Sequence, residues 1–450
     1  MYNTNQCIEK RSNMKFKLFP ILTLLFVSFI CSNAKAYSLN DAVVAVLQNN
    51  EKIKAAKKKL EMEILKKPKV MTEFLPNVSA ELNQTFHNNR NFNDSSKPIK
   101  YHQGSLIWSV EQEIYSGGST IAKMLAADAE INIAYQEYAS TLNEVIYQTI
   151  QIYQSILTTR ELVRTQAQNV EMTSKHVEKA TIAVKSGAET KTSLHYAKAN
   201  FADMKSRLED YKVQQKEAEA YFQAYVGEVA PEKMELIDLK KHKVPTLEAF
   251  KALVSQKNPD ILKAKNTLKA SRHGISVATS GLMPRIALFG QAVRQDGPSF
   301  YKGDNMFNGR QIRQDGNTYG VKMSIPVFSK GLGYINISEA RKKEKLSAHN
   351  LKNALNTIQA TITDTWEHYI SSDSIYHLSC KAEENYHQTY LSMQAEFDVG
   401  ARTIINVIEK QKEYNFHTLE RLGKEQKRVM ALFKIYQTIG NLHQVILTNR

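Results

Sequence analysis

Residues Leu75–Phe86 read LPNVSAELNQTF, and their apolar side chains fall at every second position: Val78, Ala80, Leu82 and Phe86. Successive side chains of a strand point to opposite faces, so this spacing marks a half-buried strand. A second stretch, MPRIALFGQAV at Met283–Val293, repeats the pattern with Ile286, Leu288 and Ala292. Each is followed by another alternating run. Leu106, Trp108, Val110 and Ile114 form the first, and Tyr319, Val321, Met323, Ile325 and Val327 the second. Four strands of about ten residues are expected, in a chain whose other long segments carry a helical period.

The two pairs of strands belong to two copies of one unit. SLNDAVVAVLQNNEKIKAAKKKL from Ser38 lies over TLEAFKALVSQKNPDILKAKNTL from Thr246, matching Leu39 to Leu247, Asn50 to Asn258 and Leu60 to Leu268 at a constant spacing of 208. Further on, EIYSGG at Glu113 lies over PVFSKG at Pro326, and the spacing becomes 213. It stays 213 for Gly187 over Gly400 and for Gly227 over Gly440. One five-residue insertion between the strands of the second copy accounts for the change. The order in each copy is helix, strand, strand, long helix, helix. Residues 37–227 form the first repeat, 228–245 a linker containing Pro231 and Pro245, 246–441 the second repeat, and 442–450 a tail. The polar stretch His87–Gly104 is expected to be a loop.

Lys10, Arg11, Lys15 and Lys17 precede the apolar run Leu18–Ile30, and Ala34–Ala36 read AKA. A basic start, a short apolar middle and a small-x-small site make residues 1–36 a secretory signal, too short for a good membrane span. Its removal takes five lysines or arginines and one glutamate from a formal charge of +15. It also takes Cys7 and Cys31, leaving Cys380 alone, so no disulfide can staple one mature chain. The densest basic cluster, Lys52 to Lys69, shares a helical pattern with Ile53, Ala56, Leu60 and Ile64, and is expected to be a solvated helix face. Export argues against nucleic acid as the partner.

The segment Ser119–Lys185 is expected to be one helix about 100 Å long. Ile131, Tyr135, Tyr138, Leu142, Val145, Thr149, Ile152 and Ile156 step along it by fours and threes, a heptad seam. Ile146, Ile150, Tyr153 and Leu157 make a second seam beside the first. Two seams face different directions and suit a helix with a neighbour on each side, as in the wall of a tube; an ordinary bundle is the alternative. Leu351, Leu355, Ile358 and Ile362 give a seam in the second copy. Ser38–Leu75 is expected to be one helix, and another runs from the SGAET break to Gly227.

Strands of nine to eleven alternating residues fit a tilted crossing of a bilayer, where only a closed barrel leaves no edge unpaired. Four strands cannot close around a pore, so two or more chains must share a barrel.

At this point the chain resembles the TolC family of outer-membrane efflux and secretion ducts. The likeness rests on the repeat, on Leu75-Pro76 with Met283-Pro284 as its variant, on the turns WSVEQEIYSGG and SIPVFSKG, and above all on FDVGARTIINVIEKQ, Phe397–Gln411. The resemblance implies a mostly α protein with a membrane β-barrel: a homotrimer with a twelve-stranded barrel in outer-membrane lipid and a twelve-helix periplasmic tunnel. Gly187 and Gly400 would turn its tips. It implies a periplasmic adaptor and an inner-membrane transporter (RND, ABC or MFS type) as partners, and no cofactor. In the family an arginine latches the tip to a threonine-aspartate pair, and two aspartates form entrance rings. Arg402 matches the arginine and Thr192 the threonine, but Ser193 stands at the aspartate. Asn406 replaces the first ring acid, and Glu409 keeps the second.

No sequence motif for catalysis accompanies these features. His-Glu-x-x-His and the phosphate-binding Gly-x-x-x-x-Gly-Lys-Ser/Thr are absent, and Glu384 with His387 is only half of a di-iron pattern. The protein is expected to be a passive duct with no catalytic residues, no metal site and no cofactor. The rival expectation is a soluble periplasmic coiled-coil scaffold whose four alternating segments make a small sheet in water.

Overall fold

The computed structural model describes residues 36–89, 99–298 and 311–448. Residues 1–35 of the expected signal lie outside the described residues, as do the centres of the two polar connections between strands, 90–98 and 299–310.

Where the sequence predicts a single helix over Ser38–Leu75, there are three: α1 (Leu39–Asn49), α2 (Glu51–Ile64) and α3 (Lys66–Met71), with a 3-10 turn at Thr72–Phe74. Asn50 causes the first break. Its backbone is extended, and its side chain accepts the N–H of Lys52 at 3.0 Å, satisfying locally what the helix would otherwise satisfy. Pro68 causes the second, because its ring would crowd the carbonyl of Ile64 and is tolerated only in the first turn of a new helix.

β1 (Asn77–Asn89) and β2 (Ile99–Tyr115) come next, then α4 (Ser119–Lys185) and α5 (Lys191–Val226). The second half repeats the order with α6 (Leu247–Lys257), α7 (Pro259–Ser280), β3 (Arg285–Pro298), β4 (Gln311–Ser324), α8 (Leu332–Asp398) and α9 (Ile404–Ile439). The ends of α4 and α5 fall on those of α8 and α9 under the 213 spacing. Asn258 is extended like Asn50 and splits α6 from α7. The amide of each asparagine also reaches a carbonyl near the end of its repeat's last helix: Asn50 to Tyr225 at 3.4 Å, Asn258 to Thr438 at 2.8 Å. Tyr225 and Thr438 are themselves 213 apart. Residues 442–448, in the expected tail, form a further helix, α10 (Leu442–Thr448), whose Leu442 and Ile446 are buried.

The four strands make one antiparallel sheet in the order β1-β2-β3-β4. Directly opposed residues share a face, so the register identifies both faces. Val78, Ala80 and Leu82 lie across from Val110, Trp108 and Leu106; these oppose Gly290, Ala292 and Arg294; Ile286 and Leu288 oppose Met323 and Val321. One face is therefore apolar along most of its length, and its large side chains are solvent-exposed in the single chain, Leu82 at 77%. The other is mostly polar, with Asn77, Ser79, Glu81, Ser109, Glu111, Gln291, Thr318 and Lys322, and also carries Ile107, Phe289 and Val293.

Three expectations about the strands are corrected. They run to 13, 17, 14 and 14 residues, longer than expected, because backbone pairing continues past the apolar band into His87–Asn89 and Ile99–Gly104, which the sequence predicts as loop. Ile114 drops out of the alternation at a bulge between Glu113 and Tyr115. Ile325 and Val327 lie beyond the end of β4.

The long helix α4 has neighbours on both flanks: α2, α3 and α7 along the half nearer the sheet, α5 and α9 along the other. Its two seams divide accordingly, with an exception. Val145 and Ile156 pack with Phe222 of α5, and Ile146 and Ile150 with Val429 and Phe433 of α9. Tyr153 and Leu157 leave the second seam and join the α5 side. A 3.6-residue helix drifts about 20° per heptad against a 3.5 repeat, so a seam changes neighbour along its length. In the second copy Ile362 is buried, whereas Leu355 stays 41% exposed.

Candidate functional site

The end of the bundle away from the sheet consists of two hairpins, α4 into α5 and α8 into α9. Each turns on a glycine with left-handed backbone, Gly187 at φ +78° and Gly400 at φ +79°. The hydrogen bonds match: Ala188 N–H to Ala183 and Gly187 N–H to Val184 in one, Ala401 N–H to Glu396 and Gly400 N–H to Phe397 in the other. This closes the orphan carbonyls of a helix end, and the αL position it needs favours glycine. Thr190 and Thr403 then cap the outgoing helices.

The hairpins are bound together by unlike groups. Glu189, from the first, accepts the backbone N–H of Ile404, the first residue of α9, at 2.8 Å, and its other oxygen accepts Ser193 Oγ at 2.7 Å. A carboxylate at a helix N-terminus meets unpaired N–H groups and the positive end of the helix dipole. Lys179 of α4 pairs with Asp398 of α8 at 2.8 Å, and Lys412 of α9 lies over the Tyr196 ring of α5 at 4.8 Å. Beneath these contacts Ala180, Ala197, Tyr390, Ile404, Val407 and Ile408 form a small buried cluster.

The residues singled out from the sequence are placed as follows. Arg402 donates to Glu396 at 2.8 Å, within its own hairpin, and meets neither Thr192 nor Ser193 inside one chain. Thr192 is exposed. Ser193 is buried and bonded to Glu189 and Thr190. Asn406 caps: its Oδ1 accepts Thr403 Oγ1 at 2.8 Å and the Thr403 N–H at 3.3 Å. Glu409 is exposed on α9. The residue missed is Glu189, which supplies the carboxylate that Ser193 lacks. A signal was present, since position 189 stands 213 before Arg402 and the repeat-equivalent pair carries opposite charges.

Above the cluster the bundle interior is polar. His176 is 3% exposed and its Nε2 lies 3.4 Å from the Tyr390 hydroxyl. Burial, and then the nearby Lys179 charge, push its pKa down to about 4. Asn200 of α5 and Asn415 of α9 are buried, with side-chain atoms that find no hydrogen-bond partner among the described residues, and Gln411 of α9 is buried against His176. Of the half-motif, His387 packs on the ring of Tyr414 at 4.8 Å. Among the described residues no group of three or more His, Cys, Asp or Glu is placed to hold a metal ion, and no helix is long and apolar enough to cross a membrane.

The fold recurs in known proteins. The profile of the outer membrane efflux protein family matches residues 42–228 and 252–441. The outer membrane protein TolC of Vibrio cholerae serotype O1 is 22% identical over 354 residues, covering 74% of this chain and 76% of TolC. Among solved structures, CusC superposes with a TM-score of 0.77 at 13% identity, covering 89% of this chain and 91% of that one. The CmeC outer membrane channel of Campylobacter jejuni gives 0.74 at 15% identity, covering 96% and 94%. With both halves matched in order, and the fold shared, the chain belongs to the outer membrane efflux protein family.

Proposed function

We propose that this chain is one protomer of a passive exit duct in the outer membrane, serving a tripartite efflux pump or a type I secretion system. Residues 1–36 direct export. Two structural repeats, 37–227 and 246–441, joined by a linker at 228–245 and followed by a tail at 442–450, make up the protomer. Three protomers close a twelve-stranded barrel in lipid and a twelve-helix periplasmic tunnel. A periplasmic adaptor and an inner-membrane transporter of the RND, ABC or MFS type complete the machine. The hairpins are its gate: Arg402, Thr192 and Ser193 take part in a latch, Asn406 and Glu409 stand at the entrance, and Gly187 and Gly400 turn the tips.

One observation carries the reading. The register of β1–β4 puts most of the large apolar side chains on one face, Ile107, Phe289 and Val293 being on the other, and among the described residues the outer edges of β1 and β4 have no partner strand. In lipid such edges must be satisfied by further strands, and in water such a face would be covered. Family membership supports an efflux role. Fractionation tests the proposal: the protein should stay with outer membranes through alkaline washing, have the mass of three chains in mild detergent, and conduct ions in a planar bilayer. Release as a monomer into the wash would favour the soluble scaffold and end the proposal.

A further inference from the structure

The two repeats of one chain meet at a specific bond. Asn143 of α4, 4% exposed, donates from Nδ2 to the carbonyl of Gly440 at 2.9 Å and accepts at Oδ1 the N–H of Leu442 at 3.1 Å. It thereby clamps the chain where α9 ends, and Leu442 is fully buried there. Under the 213 spacing, Asn143 corresponds to Asn356 of α8, Gly440 to Gly227 and Leu442 to Val229. Asparagine and glycine recur, but the bond does not form within the chain. Asn356 is exposed, and among the described residues its side chain, the Gly227 carbonyl and the Val229 N–H have no hydrogen bond. Val229, an apolar residue where its counterpart is buried, is 72% exposed.

The flanks of the helices agree. α4 is packed on both sides, by α5 of its own repeat and α9 of the other. α8 is packed by α9 of its own repeat, and the corresponding α5 of a following repeat is missing. Position 165 on α4 is a buried threonine, and its counterpart Leu378 is 62% exposed. A helix and a chain end built to the same plan, each left open, complement each other only if a second copy supplies the other half.

We propose that Asn356 of one protomer bonds the Gly227 carbonyl and the Val229 N–H of a second copy, in the register that Asn143 sets within the chain. The inference rests on the oligomeric duct proposed above and specifies its junction: α8 of one copy lies beside α5 of the next, with Val229 buried between them. The two junctions also differ where apolar residues of α4 face α9. Ile146 and Ile150, which bury against α9, have Gln359 and Thr363 as counterparts on α8. At these two positions the junction between copies is more polar than the one inside the chain, so the asparagine clamp carries a larger share of the register between copies.

Cysteine pairing tests it. In a Cys380→Ser background, Val229→Cys combined with Asn356→Cys should, after mild oxidation of outer membranes, give covalent dimers and trimers on denaturing gels. Val229→Cys combined with Ala354→Cys, on the far side of α8, should leave single chains. A protein that is oligomeric in mild detergent yet shows no ladder for the first pair, or equal ladders for both, overturns the register and leaves the duct standing. A protein that is monomeric in mild detergent overturns both.

Discussion

The carboxylate of Glu189 sits 2.8 Å from the backbone N–H of Ile404, so one hairpin of the tip caps the helix that begins the other. This contact joins the two repeats by a backbone group, which no substitution at Ile404 other than proline removes. Glu189→Gln should lower the stability of the tip by up to about 1 kcal/mol, as loss of a negative charge at a helix N-terminus does. Hydrogen exchange at the Ile404 amide is the readout. Faster exchange there, with unchanged exchange around Val145 and Ile150, is the expected result.

Arg402 and Glu409 are open to a conductance measurement. Arg402→Ser in a planar bilayer should conduct more than wild type if the arginine restrains the tip; the same current from both would free Arg402 of any latch. Its ion pair with Glu396, half exposed on both sides, is worth less than about 1 kcal/mol, too little to mask the effect. If Glu409 rings the entrance as proposed, Glu409→Gln should weaken preference for cations, and unchanged selectivity would place it outside the pore.

His176 makes tip stability depend on pH. The imidazole is held neutral in the folded bundle, facing Lys179 on its own helix, Tyr390 of α8 and Gln411 of α9, with its pKa down at about 4 against 6.5. Between those values the unfolded form binds more protons, so stability is full above pH 6.5 and falls as pH drops toward 4. The shift corresponds to roughly 3 kcal/mol. In His176→Phe the part of the acid loss seen in that window should vanish, measured as the difference between the two proteins' melting temperatures at pH 7 and pH 4.5.

The two faces of the sheet respond differently to charge. If the sheet crosses lipid as proposed, Leu82→Arg places a cation on the apolar face at a cost of up to about 2–4 kcal/mol, and should abolish outer-membrane assembly. Ser79→Arg, on the polar face, should assemble and alter ion selectivity. Equal assembly of both variants would contradict the assignment of faces.

Gly400→Ala isolates a backbone effect. A Cβ there meets nothing within 4 Å, so the only cost is the left-handed φ of +79°, about 1–2 kcal/mol. Gly400→Asn, which tolerates that region better, should recover part of the loss of thermal stability.

Much of this architecture is legible in the sequence because its periods are long. The seams of α4 run over many turns, and Gly118 and Lys185 bound it in an unbroken pattern. The apolar alternation at Val78–Leu82 and Leu106–Val110 survives in the register because one face of a strand cannot slip by a residue without inverting. What the sequence conceals is local. Asn50 and Pro68 each break a helix by a single residue's chemistry inside an otherwise periodic run. The extension of β1 into His87–Asn89 depends on backbone pairing, to which side-chain pattern is blind. Glu189 acts through a backbone N–H, which leaves no complementary residue type to find; only its opposition to Arg402 across the repeat betrays it.

The unpaired outer edges of β1 and β4 bear on inheritance as well as on architecture. If three chains share one barrel as proposed, a defect cannot stay with the chain that carries it: in a cell expressing both an intact and a faulty version, mixed rings would form, and each would be only as sound as its worst member. Damage to the strand edges should therefore interfere with a healthy copy of the gene, whereas a variant too unstable to reach the membrane should be silently recessive.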